Sequence, residues 1–479
     1  MDEITTMDEI TSLDEITSLD EFLELHRQVQ EEERQLEKEQ RRLQETERYL
    51  QEEERQFQFV LQEEERQLQE EERQLQEEQR RLQGAEPKTL REFIETCHSL
   101  HLSMQVVASP FNTTISTEAT LAGYIFPRRI VPWNGFAATQ EWIWNGLSTA
   151  NFFHSQPQFP SEHQIDYVKS RIKPIRSEFG LRNFERAAVE DAVEILFERA
   201  CENPRLQSSL NLQGAVTFES HTNVEEEVGL EAPNKPEARR KSRGKGNKAD
   251  ECLVFKTSDG AQVPVAAIQY MPPQKLSIDQ LVTGLSSEIW LERDVINTNG
   301  DDFISTSRRL AAAVITQLFS YMIDKGLQYG YVCTGEAFVF LRIPDDPSIV
   351  YFSVCVPSMD VLENGDLKLH RTAVAQVFTF LLTTTRTKPP PDVWHNEAEK
   401  LGIWEVEYDD VLAKIPLADR KRNDVLIAPY QPQCWEDFKR FPLQTRRSLA
   451  TDSRILGQNA RQTKTFFRLF QRLLVPVGM

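Results

Sequence analysis

No stretch of this 479-residue sequence approaches the roughly 20 consecutive apolar residues that a membrane span needs. Its first residues, MDEITTMDEI, have no basic stretch followed by an apolar core, so no secretory leader is expected. Cysteine is scarce. The six, Cys97, Cys201, Cys252, Cys333, Cys355 and Cys434, lie far apart, with no Cys-x-x-Cys and no zinc-ligand spacing. An intracellular chain with reduced thiols, in nucleus or cytoplasm, is the expectation. There is no His-Glu-x-x-His, so a metalloprotease reading gets no support. There is also no Gly-rich phosphate loop and no His-Arg-Asp; His370-Arg371-Thr372 only approaches the latter.

Acid is present in excess, and unevenly. The formal net charge is −20, but residues 1–86 hold 28 Asp/Glu against 11 Lys/Arg. The remaining 393 residues hold 47 against 44, so the body is close to neutral. Charge therefore gives no support to nucleic acid as a partner, and a protein partner is the default. One local exception is a basic run, Arg239, Arg240, Lys241, Arg243, Lys245 and Lys248, which fits nuclear import or a solvated linker.

Residues 1–21 are an acidic near-repeat (MDEITT MDEITS LDEITS LDEF), expected to lack a fixed fold. From 22 to 83 a heptad pattern takes over. Phe22, Val29, Leu36, Leu43, Leu50 and Phe57 are seven apart, then a four-residue step reaches Leu61, and Leu68, Leu75 and Leu82 resume the sevens. That is a coiled-coil seam with one stutter, on a helix about 90 Å long. Only one seam position per heptad is apolar, so two readings stand: a homo-oligomer through residues 22–83, or a lone helix held by Glu–Arg pairs three and four apart. Gly84 and Pro87 should end it.

The rest reads as mixed α/β (α+β). Residues 88–180 are aromatic- and Pro-rich, expected to be irregular packing segments around short helices. Cys97, His98 and His101 in CHSLH lack a further ligand cluster and read as the end of a helix. Residues 181–416 should be one α/β domain, with a disordered basic excursion at 219–249 and a basic tail at 417–479. Its elements are a helix over 183–203, a weak strand in LNLQGAVTF, and strands ECLVFKT and QVPVAAIQY joined at Asp259-Gly260. Helices SIDQLVTGLSSEI and SRRLAAAVITQLFSYMIDKG follow, the second stopped by Gly326. Three strands (YGYVCTG, AFVFLRI, IVYFSVCV) and the helix HRTAVAQVFTFLLTTTR complete it. Thr334 and Glu336 read as a hydrogen-bonded turn between strands.

The order from 185 to 334 is α, β, β, β, α, β, the core order of PD-(D/E)XK nucleases. The stretches ADECLVFKTSDGAQVPVAAIQYMPPQKL, AAAVITQLFSYMIDKGLQYGYVCTGEAFVFLRIPDDP, LHRTAVAQVF and WEVEYDDVLAKIP resemble a set of uncharacterised fungal proteins carrying such a domain. In that family the domain often precedes a fungal-type protein kinase; here about sixty residues follow Pro416, too few for a kinase. The resemblance implies a mixed sheet with helices on its faces and a site in which an Asp and a Glu share Mg²⁺ while a Lys two residues after the Glu positions water. The matching positions here are Asp250, Gln269 and Met271. An amide is a poor replacement for a carboxylate around Mg²⁺, and a thioether is neither cation nor base. Lys275 lies beyond two turn prolines and is not assigned the missing role. Read without the resemblance, IQYMPPQKL is a buried strand with a Pro-Pro stop.

The expected function is a non-catalytic binding or scaffold protein with no catalytic residue, cofactor or metal. Two alternatives stand beside it. One is an active metal-dependent nuclease with a displaced site, where Asp250 would hold Mg²⁺; the other is a regulatory module of a fungal-type kinase.

Overall fold

A computed structural model of the chain describes residues 19–107, 123–149, 157–210, 212, 214–220, 249–257, 260–298, 300–363, 366–406, 408–413 and 430. Most of the acidic repeat, residues 221–248 of the basic excursion, Asp259, and the tail apart from Tyr430 lie outside them. Contacts divide the chain into two compact units, Met1–Glu86 and Pro87–Met479.

The described part of the first unit is one helix, α1 (Leu19–Ala85). With no Gly or Pro before residue 84, nothing interrupts its backbone hydrogen bonds. Glu precedes Arg at three- or four-residue spacing along its length: Glu24–Arg27 at 2.9 Å, Glu63–Arg66 and Glu70–Arg73 at 2.7 Å. Each such pair adds a small, salt-screened attraction in the orientation the helix dipole favours. All ten seam residues are exposed, from 43 % at Leu61 to 68 % at Leu75. Among the described residues of this unit, none covers the stripe.

The second unit is an eight-stranded mixed sheet with helices on both faces. Its first elements are α2 (Leu90–Leu102), β1 (Tyr124–Ile125), β2 (Arg129–Pro132), α3 (Phe136–Thr149) and α4 (Glu162–Arg171). Then come α5 (Glu178–Glu185), a π-helical turn (Arg186–Glu190), α6 (Asp191–Glu202), α7 (Pro204–Leu210) and β3 (Ala215–Ser220). β4 (Glu251–Lys256), β5 (Gln262–Tyr270), α8 (Ile278–Gly284), β6 (Ile289–Trp290) and α9 (Phe303–Lys325) follow. Later elements include β7 (Tyr329–Cys333), β8 (Phe338–Arg342), β9 (Ile349–Cys355), α10 (Pro357–Asp360), α11 (Ala373–Thr384), α12 (Asp392–Ala398) and α13 (Tyr408–Ala413).

The strand order is β3-β4-β5-β7-β8-β9-β2-β6. Neighbours are antiparallel except β5 with β7 and β2 with β9. The parallel step from β5 to β7 is bridged by α8 and α9, as a parallel pair requires a crossover. Successive residues of β5 feed two cores. Ala266, Ile268 and Tyr270 join a cluster with α2, α3, α6 and α11; Ala267 and Met271 join one with α8, α9, α12 and α13.

Polar caps set the helix ends. Thr89 with Glu92, Ser161 with Gln164 and Ser277 with Gln280 form capping boxes, and Asp302 accepts from the amides of Ile304 and Ser305. Gly326 stops α9 in the left-handed region at φ 70°. The five described cysteines form no disulfide with one another, and four of them are buried.

Three expectations need correction. The 88–180 segment, expected as irregular packing around short helices, holds such helices as α2, α3 and α4, but it also contributes Arg129–Pro132 as a strand of the main sheet beside β9. A four-residue strand between prolines carries no periodic signal, and its partner lies more than 200 residues away. The helix expected through Ile289 ends at Gly284, and Ile289 lies in β6. The helix over 183–203 is interrupted by the π turn.

Two glycines give a paired test. A Cβ at Gly284 would lie 2.5 Å from the Ser307 carbonyl oxygen on α9, whereas one at Gly146 in α3 meets nothing within 4 Å. Gly284→Ala should lower thermal stability by about 1–3 kcal/mol, and Gly146→Ala should raise it by about 0.5–1 kcal/mol, read by calorimetry. Equal effects would show that α8 does not pack this closely on α9.

Candidate functional site

The positions singled out in the sequence meet where β4 begins and β5 ends. Asp250 lies one residue beyond the Glu251–Ile268 pair of the β4–β5 ladder. Its amide donates to the Ile268 carbonyl at 3.0 Å, and its Oδ2 accepts from the Tyr270 amide at 2.7 Å. Gln269 and Met271, two apart, are buried at 6 % and 3 % exposure. Met271 belongs to the apolar cluster with Leu276 and Leu281, and its amide bonds the Cys333 carbonyl at 2.8 Å. Gln269 Oε1 has no hydrogen-bond partner.

After Pro272 the chain turns, with the Lys275 amide bonding the Pro272 carbonyl at 2.8 Å. Lys275 Nζ then reaches Glu178 Oε1 at the start of α5, at 2.7 Å. Burial pushes the Asp250 carboxyl up to about 6; the Tyr270 amide opposes this, and the Glu178 charge adds to it. The structure thus brings Asp250, Glu178 and Lys275 to one end of the sheet and closes Gln269 and Met271 into its interior.

The opposite face of β5 carries a polar group that the sequence reading missed. The Tyr270 hydroxyl contacts Glu190 and lies 3.0 Å from Glu251 Oε2. Glu251 pairs with Arg182, and Arg186 pairs with Asp191 at 2.8 Å and Glu194 at 3.0 Å. A phenol has one proton and cannot donate to both acids. Burial, then the Glu251 charge, pushes the Glu190 carboxyl well above its usual range. Protonated Glu190 therefore donates to Tyr270, which donates to the Glu251 carboxylate held by Arg182. Burial also raises Glu185 to about 8 and lowers His101 to about 4. The two stand 3.8 Å apart, both neutral near pH 7, with no ion pair between them.

Glu185 and Glu190 both face inward although five residues separate them, a spacing that an α-helix would place well apart around its axis. The π turn supplies the extra residue. The CHSLH stretch lies on α2, with Cys97 and His101 buried and His98 half-buried. Among the described residues no group of three His, Cys, Asp or Glu is placed to hold a metal ion. Thr334 Oγ1 accepts from the Ala337 amide at 2.9 Å, the turn expected there.

Residues 199–389 match the family model described as the Spore killer 2 N-terminal domain. The chain is 24 % identical over 342 residues to the meiotic driver SPOK2 of Podospora anserina, covering 63 % of this chain and 43 % of that protein. Over these stretches the chain is similar to a fungal spore killer. It spans less than half the length of that relative. No solved structure matches it. The matched stretch runs from α6 to just past α11 and so includes β4, β5 and the turn with Lys275. The nuclease likeness rests on the residues alone. Among the described residues, no helix is long and apolar enough to cross a membrane.

The raised carboxyls set a pH dependence. A folded-state value above the unfolded one gives stability that is complete below about pH 4.5 and lost as pH rises through the folded value. For Glu185 that window closes near pH 8. The urea midpoint should fall between pH 6.5 and 8.5, a loss of about 2 kcal/mol at roughly 1.4 kcal/mol per unit. Glu185→Gln should flatten the slope. His101 titrates below this range and does not contribute to it.

Proposed function

We propose that the second unit is a non-catalytic binding module built on a PD-(D/E)XK-like scaffold, and that α1 joins copies of it into a homo-oligomer. The carrying observation is the burial of Gln269 and Met271 at 6 % and 3 % exposure. A nuclease of this type needs an acid and a lysine open to metal, water and phosphodiester. Here an amide and a thioether fill those positions, and one of them packs among leucines. The donor set does not suit Mg²⁺: Asp250 is one carboxylate, the amide is weak, and sulfur is too soft. No step through a metal is derived. The relative's name attaches it to meiotic drive, and this chain would act in that setting by binding rather than cutting.

For α1, ten exposed apolar residues at heptad spacing with one stutter support a seam that a second copy covers. Sedimentation of the full chain should show a dimer or trimer, and Leu68→Glu with Leu75→Glu should yield monomer. A monomeric wild-type chain at tens of micromolar would leave the lone-helix reading.

One observation favours a second reading, an active nuclease with a displaced site. Lys275, beside Glu178, lies at the same end of the sheet as Asp250. Incubating the purified chain with Mg²⁺ or Mn²⁺ and supercoiled DNA decides between them. The proposal expects no nicking. Nicking that vanishes in both Asp250→Ala and Lys275→Ala would replace it with the second reading.

A further inference from the structure

The apolar stripe of α1 changes its place in the heptad halfway along the helix. The four-residue step from Phe57 to Leu61 is also the ordinary interval from position d to the next position a. One heptad frame then runs through α1, apolar at d from Phe22 to Phe57 and apolar at a from Leu61 to Leu82. The other seam position is polar as far as Glu78. In the first half a holds His26, Glu33, Gln40, Glu47 and Glu54; in the second half d holds Glu64, Glu71 and Glu78, then Ala85.

The closest Glu–Arg pairs of the helix lie away from this seam. Glu24–Arg27 occupies positions f and b, and Glu63–Arg66 and Glu70–Arg73 occupy c and f. Among the described residues, no Lys or Arg pairs with Glu33, Glu47, Glu54, Glu64, Glu71 or Glu78. A second copy that covers the stripe therefore meets acids that its own helix does not neutralise, and their placement selects its direction.

A parallel pair stacks a on a and d on d, so each seam residue meets its own copy. All six of those acids would then face an identical carboxylate, and on the flank Glu32 at g would face the partner's Glu37 at e. An antiparallel pair stacks a on d instead. With its two-fold axis at Phe59, Phe57 meets the partner's Leu61, Leu50 the partner's Leu68, Leu43 the partner's Leu75 and Leu36 the partner's Leu82. Each of these layers is apolar on both sides. A slide of one heptad in either direction spoils this, setting Phe57 against the partner's Glu54 or Leu61 against the partner's Glu64. Acid still meets acid where Glu54 faces the partner's Glu64 and Glu47 the partner's Glu71. Glu78, however, faces the partner's Gln40, and Glu33 faces the partner's Ala85. On the flanks no acid faces an acid, and Glu39 at g faces the partner's Arg81. Val60 meets its own copy at the axis, inside QFQFVLQ, the most apolar stretch of the helix. A parallel pair would add layers at Phe22 and Val29 near the fraying end, but with acid on acid in every polar layer from Glu47 to Glu78.

We infer that α1 joins two copies of this chain as an antiparallel coiled coil with its axis at Phe59. The inference rests on the proposal that α1 is a joining element, and it fixes the number and the direction of the copies.

Leu43→Cys and Leu75→Cys, placed in separate full-length chains that are co-expressed, purified and mildly oxidised, test it. Linked peptides are identified by mass spectrometry, and the wild-type chain is sedimented alongside. Position 43 of one chain should link to position 75 of the other. Neither position should link to its own copy, because at 1.5 Å per residue the two copies of either position stand about 48 Å apart, far beyond disulfide reach. If either variant fails to fold, Leu50→Cys with Leu68→Cys takes its place with the same expectation. A monomeric wild-type chain would overturn both the joining role and this inference. A trimer, or a dimer in which 43 links to 43 or 75 to 75, would overturn the antiparallel direction and leave the joining role standing. A dimer in which neither pair of variants links would overturn the register.

Discussion

The structure of the second unit depends on β5 being an interior strand whose second half, from Ala266 to Tyr270, is covered on both faces. Its ladders to β4 and β7 tie an antiparallel half of the sheet to the crossover that α8 and α9 complete. Side chains alternate along it, so one face feeds the core under α6 and α11 and the other feeds the core under α9. A strand enclosed in this way has no neutral positions. Each residue is apolar, as Ala266, Ala267 and Ile268 are, or must find polar company inside.

The two departures from apolar character in this covered half of β5 are handled differently. Tyr270 finds company in Glu190 and Glu251, and the chain of protons runs on to Arg182. That arrangement needs Glu190 to stay neutral, which burial beside a charged Glu251 enforces. Gln269 finds less, since its Oε1 is buried without a partner. An amide tolerates that position at the cost of one unmade hydrogen bond, of order 1–3 kcal/mol; a carboxylate there would carry the larger cost of a buried charge. The same reasoning applies to Met271 among leucines. An interior β5 and an acid–lysine pair open to solvent are competing designs, and this chain has the residues of the first.

Much of this was legible in the sequence, and the misses have physical causes. α1 declares itself through seven-residue spacing, and α9 through a long apolar run ended by Gly326. β4, β5, β7, β8 and β9 are mostly apolar runs rich in Val, Phe and Tyr, as interior strands of a covered sheet should be. β2 was not legible because Arg129–Pro132 becomes a strand through β9, not through its own pattern. The inward turn of both Glu185 and Glu190 depends on a π turn, which breaks the 3.6-residue period by which helical faces are read. Lys275 was set aside for the prolines before it, yet those prolines make the turn that delivers it to Glu178.

Amide hydrogen exchange along β5 and into the turn tests the central claim, that the nuclease-like positions are closed core positions, most directly. The amides of Gln269, Tyr270 and Met271 should exchange at the rate of global unfolding, indistinguishable from Ala267 and Ile268, and should respond to denaturant with the same steep slope. Exchange of Gln269 and Met271 through a local opening, faster and nearly independent of denaturant while Ala267 stays protected, would contradict it. Those two positions would then belong to an accessible cleft.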